Sequence, residues 1–178
     1  MGLHISGRNI VEANGQTFVM RGINHPHVWY TNQTKSFADV KALGANTVRV
    51  VLGSGKRWGP STDVANVISL CRQQRLICVL EVHDTTGYGE DAAAATLDEA
   101  VNYWISQKSA LVGQESYVVI NIGNEPIGNT NAEPVDQRDH RRHPEDAQQR
   151  VRAPDHDRRP QLGGRTGSTS CGTTRRPC

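Results

Sequence analysis

Thr47-Val48-Arg49-Val50-Val51-Leu52 is a nearly unbroken apolar run, mostly β-branched, with a single guanidinium inside it. Apolar residues at successive rather than alternate positions mark a strand buried on both faces, as a parallel sheet covered by helices requires. Two later stretches repeat the pattern, Leu76-Ile77-Cys78-Val79-Leu80-Glu81-Val82 and Tyr117-Val118-Val119-Ile120-Asn121-Ile122. Upstream, Phe18-Val19-Met20-Arg21-Gly22-Ile23 is a fourth strand candidate, so strands start near residues 18, 47, 76 and 117.

Helical spacing fills the intervals. From about Lys35, the residues Phe37, Val40 and Leu43 recur on one face, and Gly44 supplies a left-handed stop. Val64, Val67, Ile68 and Cys71 stand at i, i+3, i+4 and i+7. Thr96 and Glu99 form a capping box ahead of a long helix whose buried stripe is Leu97, Ala100, Val101 and Trp104 and which runs to about Leu111. Ahead of all this, short apolar stretches flank Asn14-Gly15, a dipeptide suited to the positive φ of a hairpin turn, so Leu3 to Phe18 reads as a small β-hairpin. Strand and helix alternate four times. That predicts an α/β fold with a parallel sheet, either open and doubly wound or part of a (β/α)8 barrel.

Composition divides the 178 residues into two unequal parts. Residues 1–134 have the make-up of a globular unit. From Val135 to Cys178 there is no Ile, Phe, Met, Trp, Tyr or Lys, while arginine recurs from Arg138 to Arg176. Such a segment buries too little apolar surface to offset roughly 1 to 2 kcal/mol of backbone entropy per ordered residue, and disorder is expected. The net charge of +2 points to neither a nucleic-acid binder nor an acidic surface, and no apolar run approaches the roughly 20 residues of a membrane span. Cys71 and Cys78 lack zinc-site spacing and read as core thiols or as one bridge. The first residues, Met1 to Gly7, have neither the basic nor the apolar part of a signal peptide.

In parallel βα architectures, chemistry collects at the carboxyl ends of the strands. Those ends carry Asn24 to Tyr30, Arg49 with the loop from Gly53, His83-Asp84, and Asn124-Glu125. A guanidinium, an imidazole, a carboxamide and a carboxylate beside Trp29 and Tyr30 suit a sugar: aromatic faces stack on rings, and polar groups bond hydroxyls. A glutamate held protonated among such groups can donate to a glycosidic oxygen. Each residue also has a plainer reading: Arg49 pairing a buried acid, His83 capping a strand, and His25 with His27 in an ordinary loop rather than on a metal. Gly53-Ser54-Gly55-Lys56 hints at a phosphate loop, but Val50 and Arg57 stand where the Walker pattern needs Gly and Ser or Thr. The dinucleotide fingerprint fails at Trp58, and no Gly-x-Ser-x-Gly elbow occurs.

Four segments together carry a family resemblance: Phe18 to His25 (FVMRGINH), Gly44 to Leu52 (GANTVRVVL), Val79 to Gly87 (VLEVHDTTG) and Val118 to Pro126 (VVINIGNEP). They resemble, in order and from about Leu3 to Asn131, the bacterial secreted β-mannanases of glycoside hydrolase family 5, which also contains cellulases. The resemblance implies a (β/α)8 barrel, of which about the first four βα units are present, and a retaining, metal-independent enzyme acting on β-1,4-mannan without any cofactor. It assigns Glu125 as general acid/base, Asn124 to the sugar 2-hydroxyl region, Arg49 and His83 to support of the carboxylates, and Trp29 to the sugar platform. Secretion is implied by the likeness alone. A monomer is expected, with neither nucleic acid nor membrane as partner.

The same family takes its nucleophile from a glutamate ending strand seven, and no residue here matches it. A barrel of this type takes about 250 residues. Residues 135–178 therefore stand in place of further βα units, and a frameshift near Pro134 explains the abrupt change: one choice of codons for Val135 to Val151, read one nucleotide later, encodes an amphipathic helix. Negligible hydrolysis is expected from this chain. Two further readings stay open: an endo-β-1,4-glucanase of the same family, and a noncatalytic carbohydrate-binding fragment using Trp29 and Tyr30. A nucleic-acid-binding arm is disfavoured, since Asp and His interrupt the arginines and no aromatic is present to stack on bases.

Overall fold

A computed structural model of the chain describes residues 2–128. The Arg-rich segment 135–178, with its expected disorder, lies outside the described residues. A two-stranded antiparallel ribbon, β1 (His4–Ser6) and β2 (Asn9–Val11), comes first. Then follow β3 (Gly22–His25), α1 (Ser36–Ala42), β4 (Thr47–Leu52), α2 (Val64–Gln73), β5 (Ile77–Val82), α3 (Leu97–Ser106), α4 (Lys108–Leu111) and β6 (Val118–Asn121). Strands β3, β4, β5 and β6 form one sheet in chain order, every pair parallel. This is the α/β arrangement the sequence predicts, of which the described residues hold three βα units and a fourth strand, with β3 and β6 as the edges of the sheet among them.

The strand register divides the sheet into two faces. His25, Val50, Leu80 and Ile120 share one row, and Val48 and Leu52 lie on the same side, because side chains alternate along a strand. This face meets the helices: Val48, Val50, Leu52, Cys78, Leu80 and Val82 pack with Phe37, Val40, Val67, Ile68, Cys71 and Trp104 in a single core. Each fully buried aliphatic side chain contributes about 1.5 to 3 kcal/mol relative to exposure. The opposite face carries Asn24, Arg49, Val79 and Val119 in one row and Val51, Glu81 and Asn121 in another. In a closed barrel this is the interior side, and among the described strands it holds the two charged residues Arg49 and Glu81.

Several local expectations are corrected. The hairpin turn falls at Gly7-Arg8, where Gly7 takes φ +59°, between the paired Ser6 and Asn9. Asn14-Gly15 turns the chain as expected, with Gly15 at φ +82°, closed by Glu12 N–H donating to the Gln16 carbonyl (2.8 Å) and by an antiparallel bridge between Val11 and Thr17, but it follows the paired strands β1 and β2 instead of joining them. The first parallel strand starts at Gly22 rather than Phe18. Upstream of it the Asn46 side chain takes the backbone groups a ladder would use, accepting from Arg21 N–H (2.7 Å) and donating to the Val19 carbonyl (2.9 Å). Gly22 then runs so close to the Thr47 carbonyl that a Cβ would collide with it.

Leu43 is 84% exposed rather than buried. It occupies the C-cap of α1, past the last helical residue, and Gly44 (φ +86°) turns the chain away at once. The third helix breaks at Gln107, where Ser106 Oγ bonds back to the Tyr103 carbonyl (2.6 Å), a side-chain bond that competes with the helical ladder. Tyr103, absent from the predicted stripe, is buried beside Ala100 and Trp104, while Leu97 and Val101 are half-buried. The capping box is as expected, Glu99 N–H donating to Thr96 Oγ1 (3.1 Å) and Thr96 N–H to Glu99 Oε2 (2.8 Å). Cys71 and Cys78 are buried free thiols in hydrogen-bond contact, and burial pushes the Cys78 thiol well up. No helix among the described residues is long and apolar enough to cross a membrane.

Candidate active site

Each strand hands its neighbour's end to the same rim. The Leu52 carbonyl, closing β4, accepts from His83 N–H (2.9 Å), and the Val82 carbonyl, closing β5, accepts from Asn124 N–H (2.9 Å). His83 and Asn124 are thereby stepped along the carboxyl edge of the sheet. Arg49 reaches them from the inner face of β4, where its Nη2 donates to Asn124 Oδ1 (2.7 Å). Asn124 is held on its other side by its own Nδ2, which donates to Thr86 Oγ1 (2.8 Å), while Thr85 Oγ1 donates to the Asn124 carbonyl (2.6 Å). That last bond needs a glycine at 123, since a Cβ there would stand 2.6 Å from the Thr85 hydroxyl.

Beneath the rim lies Glu81, fully buried and two residues before His83. Its Oε1 is 2.9 Å from His83 Nδ1 and 3.6 Å from Arg49 Nη2. Burial raises the Glu81 carboxyl above its ordinary range, and the His83 hydrogen bond and the Arg49 charge only partly offset it. Arg49 thus pairs a buried acid, the plainer of its sequence readings, and also anchors the rim residue Asn124. His83 is more than a strand cap, being tied to that same acid.

Glu125 is next in the chain to Asn124 and is exposed, with no hydrogen bond or ion pair to another described residue. Its φ of +39° lies in the left-handed region, and Pro126 follows. Positive φ disfavours L-residues, and a following proline pushes the preceding residue toward extended backbone; a non-glycine held against such preferences costs of order 1 to 3 kcal/mol, tolerated where surroundings over-determine it. The structure therefore brings together Arg49, His83 and Asn124, and it places the Glu125 backbone beside them at the same end of the sheet.

Trp29 joins the group through ring contacts, edge-on to Trp58 at 5.0 Å and to His83 at 5.5 Å, with Trp58 5.3 Å from His83. Trp58 is the aromatic that sequence reasoning missed. Its loop is pinned by Asp84, a fully buried carboxylate that accepts from the backbone N–H groups of Ser54, Arg57 (2.8 Å) and Trp58 (2.8 Å). Those amides, which a phosphate loop would offer to a nucleotide, are spent on the protein's own carboxylate. Arg57 then lies over the Trp58 ring, 4.8 Å from its centroid. Tyr30 is exposed.

His25 and His27 are not in a plain loop. Both are buried, with Ser36 Oγ 3.1 Å from His25 Nδ1, His25 Nε2 3.3 Å from His27 Nδ1, and His27 Nε2 2.9 Å from Asp63. This chain sits on the helix face and ties the β3 end to α1 and α2. Among the described residues, no group of three or more His, Cys, Asp or Glu side chains is placed to hold a metal ion.

A parallel βα sheet with an arginine, a histidine, an Asn-Glu pair and packed tryptophans on its carboxyl rim is the architecture of part of a (β/α)8 barrel, with polar and aromatic groups gathered at the end where such barrels place their sites. The chain belongs to the cellulase family, glycosyl hydrolase family 5, whose family model matches residues 11–168. It is 56% identical over 133 residues to the mannan endo-1,4-beta-mannosidase of Streptomyces lividans, covering 73% of this chain and 34% of that protein. It is similar to the solved catalytic domain of the mannanase of Streptomyces sp. SirexAA-E, with 59% identity and a TM-score of 0.75 over 84% of this chain and 47% of that one. A mannohexaose complex of the Thermomonospora fusca β-mannanase matches at 60% identity and a TM-score of 0.74, over 78% of this chain and 47% of that one. The chain spans about a third of the length of the curated relative and under half of the solved chains.

Proposed function

We propose that the chain is the sugar-recognising half of a secreted endo-1,4-β-mannosidase, with Glu125 as general acid/base. The observation that carries this reading is the Arg49 to Asn124 bond on the rim shared with His83, in a chain whose relatives are mannan hydrolases. A carboxamide oxygen has two lone pairs. One on Asn124 accepts from Arg49, leaving the other for a sugar 2-hydroxyl. Trp29 and Trp58 supply apolar ring faces for the pyranose, and Glu125, next to Asn124 and open to solvent, protonates the departing glycosidic oxygen.

A retaining reaction also needs a second carboxylate roughly 5 to 5.5 Å from the first. The family likeness assigns none in this sequence, so binding without turnover is the expected behaviour of this chain as a monomer in metal-free buffer. Affinity electrophoresis tests the reading: migration slows in gels containing galactomannan, and less in carboxymethylcellulose. Equal retardation in both gels supports a glucan-binding chain instead, and none in either contradicts sugar binding. Release of reducing sugar from galactomannan would overturn the expectation of inactivity.

A further inference from the structure

We propose that Glu81 is a positioning residue of this site: its buried Oε1 takes the Nδ1 proton of His83 and faces Arg49, fixing at once the tautomer of one rim residue and the aim of the other. The proposal rests on the reading of the rim as a sugar site. Glu81 is fully buried on the inner face of β5, and Oε1 alone meets both neighbours, His83 Nδ1 at 2.9 Å and Arg49 Nη2 at 3.6 Å. An ionised carboxylate only accepts hydrogen bonds, so Nδ1 must carry a proton, and in the neutral ring Nε2 is left with a lone pair. His83 Nε2 has no hydrogen-bond partner among the described residues and belongs to a ring packed against Trp29 and Trp58. It therefore presents an acceptor, suited to a ligand hydroxyl and unsuited to a carbonyl or carboxylate. Arg49, drawn toward Glu81, keeps the same Nη2 on Asn124 at 2.7 Å. One carboxylate thus sets two neighbours on the same rim.

The tautomer is measurable without any sugar. In the ¹⁵N-labelled 178-residue chain at about pH 8, above the ordinary imidazole range, two-bond ¹H–¹⁵N correlations distinguish Nδ1–H from Nε2–H rings, with His83→Phe identifying the signal. The expected result is Nδ1–H at His83 in the wild type and in Glu81→Gln, whose amide oxygen still accepts, and a switch to Nε2–H in Glu81→Leu. An Nε2–H ring in the wild type, its appearance in folded Glu81→Gln, or persistence of Nδ1–H in folded Glu81→Leu each contradicts the assignment. Where the Leu variant does not fold, the wild type and Glu81→Gln decide. A chain that shows the expected tautomers yet ignores mannohexaose sinks the mannan reading and leaves Glu81 in its role. A chain that binds mannohexaose with the wrong tautomer does the reverse.

Discussion

Arg49 and Asn124 are 75 residues apart in the chain and 2.7 Å apart across the sheet, from Nη2 to Oδ1. Strand β5 lies between β4, which carries Arg49, and β6, which ends shortly before Asn124, and its Glu81 lies under the bond, 3.6 Å from the same nitrogen. The rim is therefore one connected polar unit rather than four independent side chains. Its removal piece by piece gives unequal effects.

Arg49→Leu leaves the Glu81 carboxylate buried with His83 as its remaining partner and frees Asn124. Breaking a buried pair from one side is strongly destabilising, on the order of 3 kcal/mol. Urea unfolding followed by tryptophan fluorescence checks this. A change below about 0.5 kcal/mol would mean that the pair is electrostatically idle.

Glu81 also gives a pH signature. Its folded-state carboxyl is raised above the ordinary 4.5, burial being the main cause. The folded protein then binds the proton more tightly than the unfolded chain, so the associated stability is full below about pH 4.5 and is lost as pH rises through the folded value. Relative to Glu81→Gln, which does not titrate, the wild type is expected to lose stability between about pH 4 and pH 7. Unfolding midpoints of both chains at those two values measure it, and a wild-type advantage that grows with pH contradicts it.

The capping box makes a separable contribution. Thr96→Ala removes the side chain that accepts from Glu99 N–H, at a cost of about 1 kcal/mol. The Glu99 carboxyl is held below its ordinary value, first by Thr96 N–H and then by Lys56. Its contribution is present above about pH 4.5 and lost as pH falls through the folded value. Thermal melts of the wild type and Glu99→Gln, which cannot ionise, should differ at neutral pH and converge on acidification, and a constant gap would remove the Glu99 charge from the account.

Much of this arrangement is legible in the sequence, for identifiable reasons. β4 coincides with the apolar run that predicts it, and the buried positions of α2 are the four spaced at helical intervals. These elements obey a local period. What escaped depends on contacts distant in sequence. The place of Trp58 is set by hydrogen bonds from its loop to Asp84, 26 residues on. Strand β3 begins late because the Asn46 side chain occupies its upstream backbone. Glu81 had a readable signal, being the one charge in its strand and two positions from His83 on the same face, but only the register shows that this face is also that of Arg49.

Cys71 and Cys78 supply a test of the packing itself. Both thiols are buried, and Cys78 is pushed toward the unreactive neutral form. Native alkylation mapped by mass spectrometry should leave both unmodified until denaturant is added. Rapid labelling of either under native conditions would show that the interface between α2 and β5 is not closed.

The most direct test of the sugar site is a titration of the 178-residue chain with mannohexaose, followed residue by residue in ¹H–¹⁵N spectra. The indole signals of Trp29 and Trp58, the His83 ring and the Asn124 side-chain amide should shift together and saturate, while Trp104 in the core stays still. Absence of any shift at millimolar-order sugar, or shifts confined to residues away from the carboxyl rim, would contradict the account.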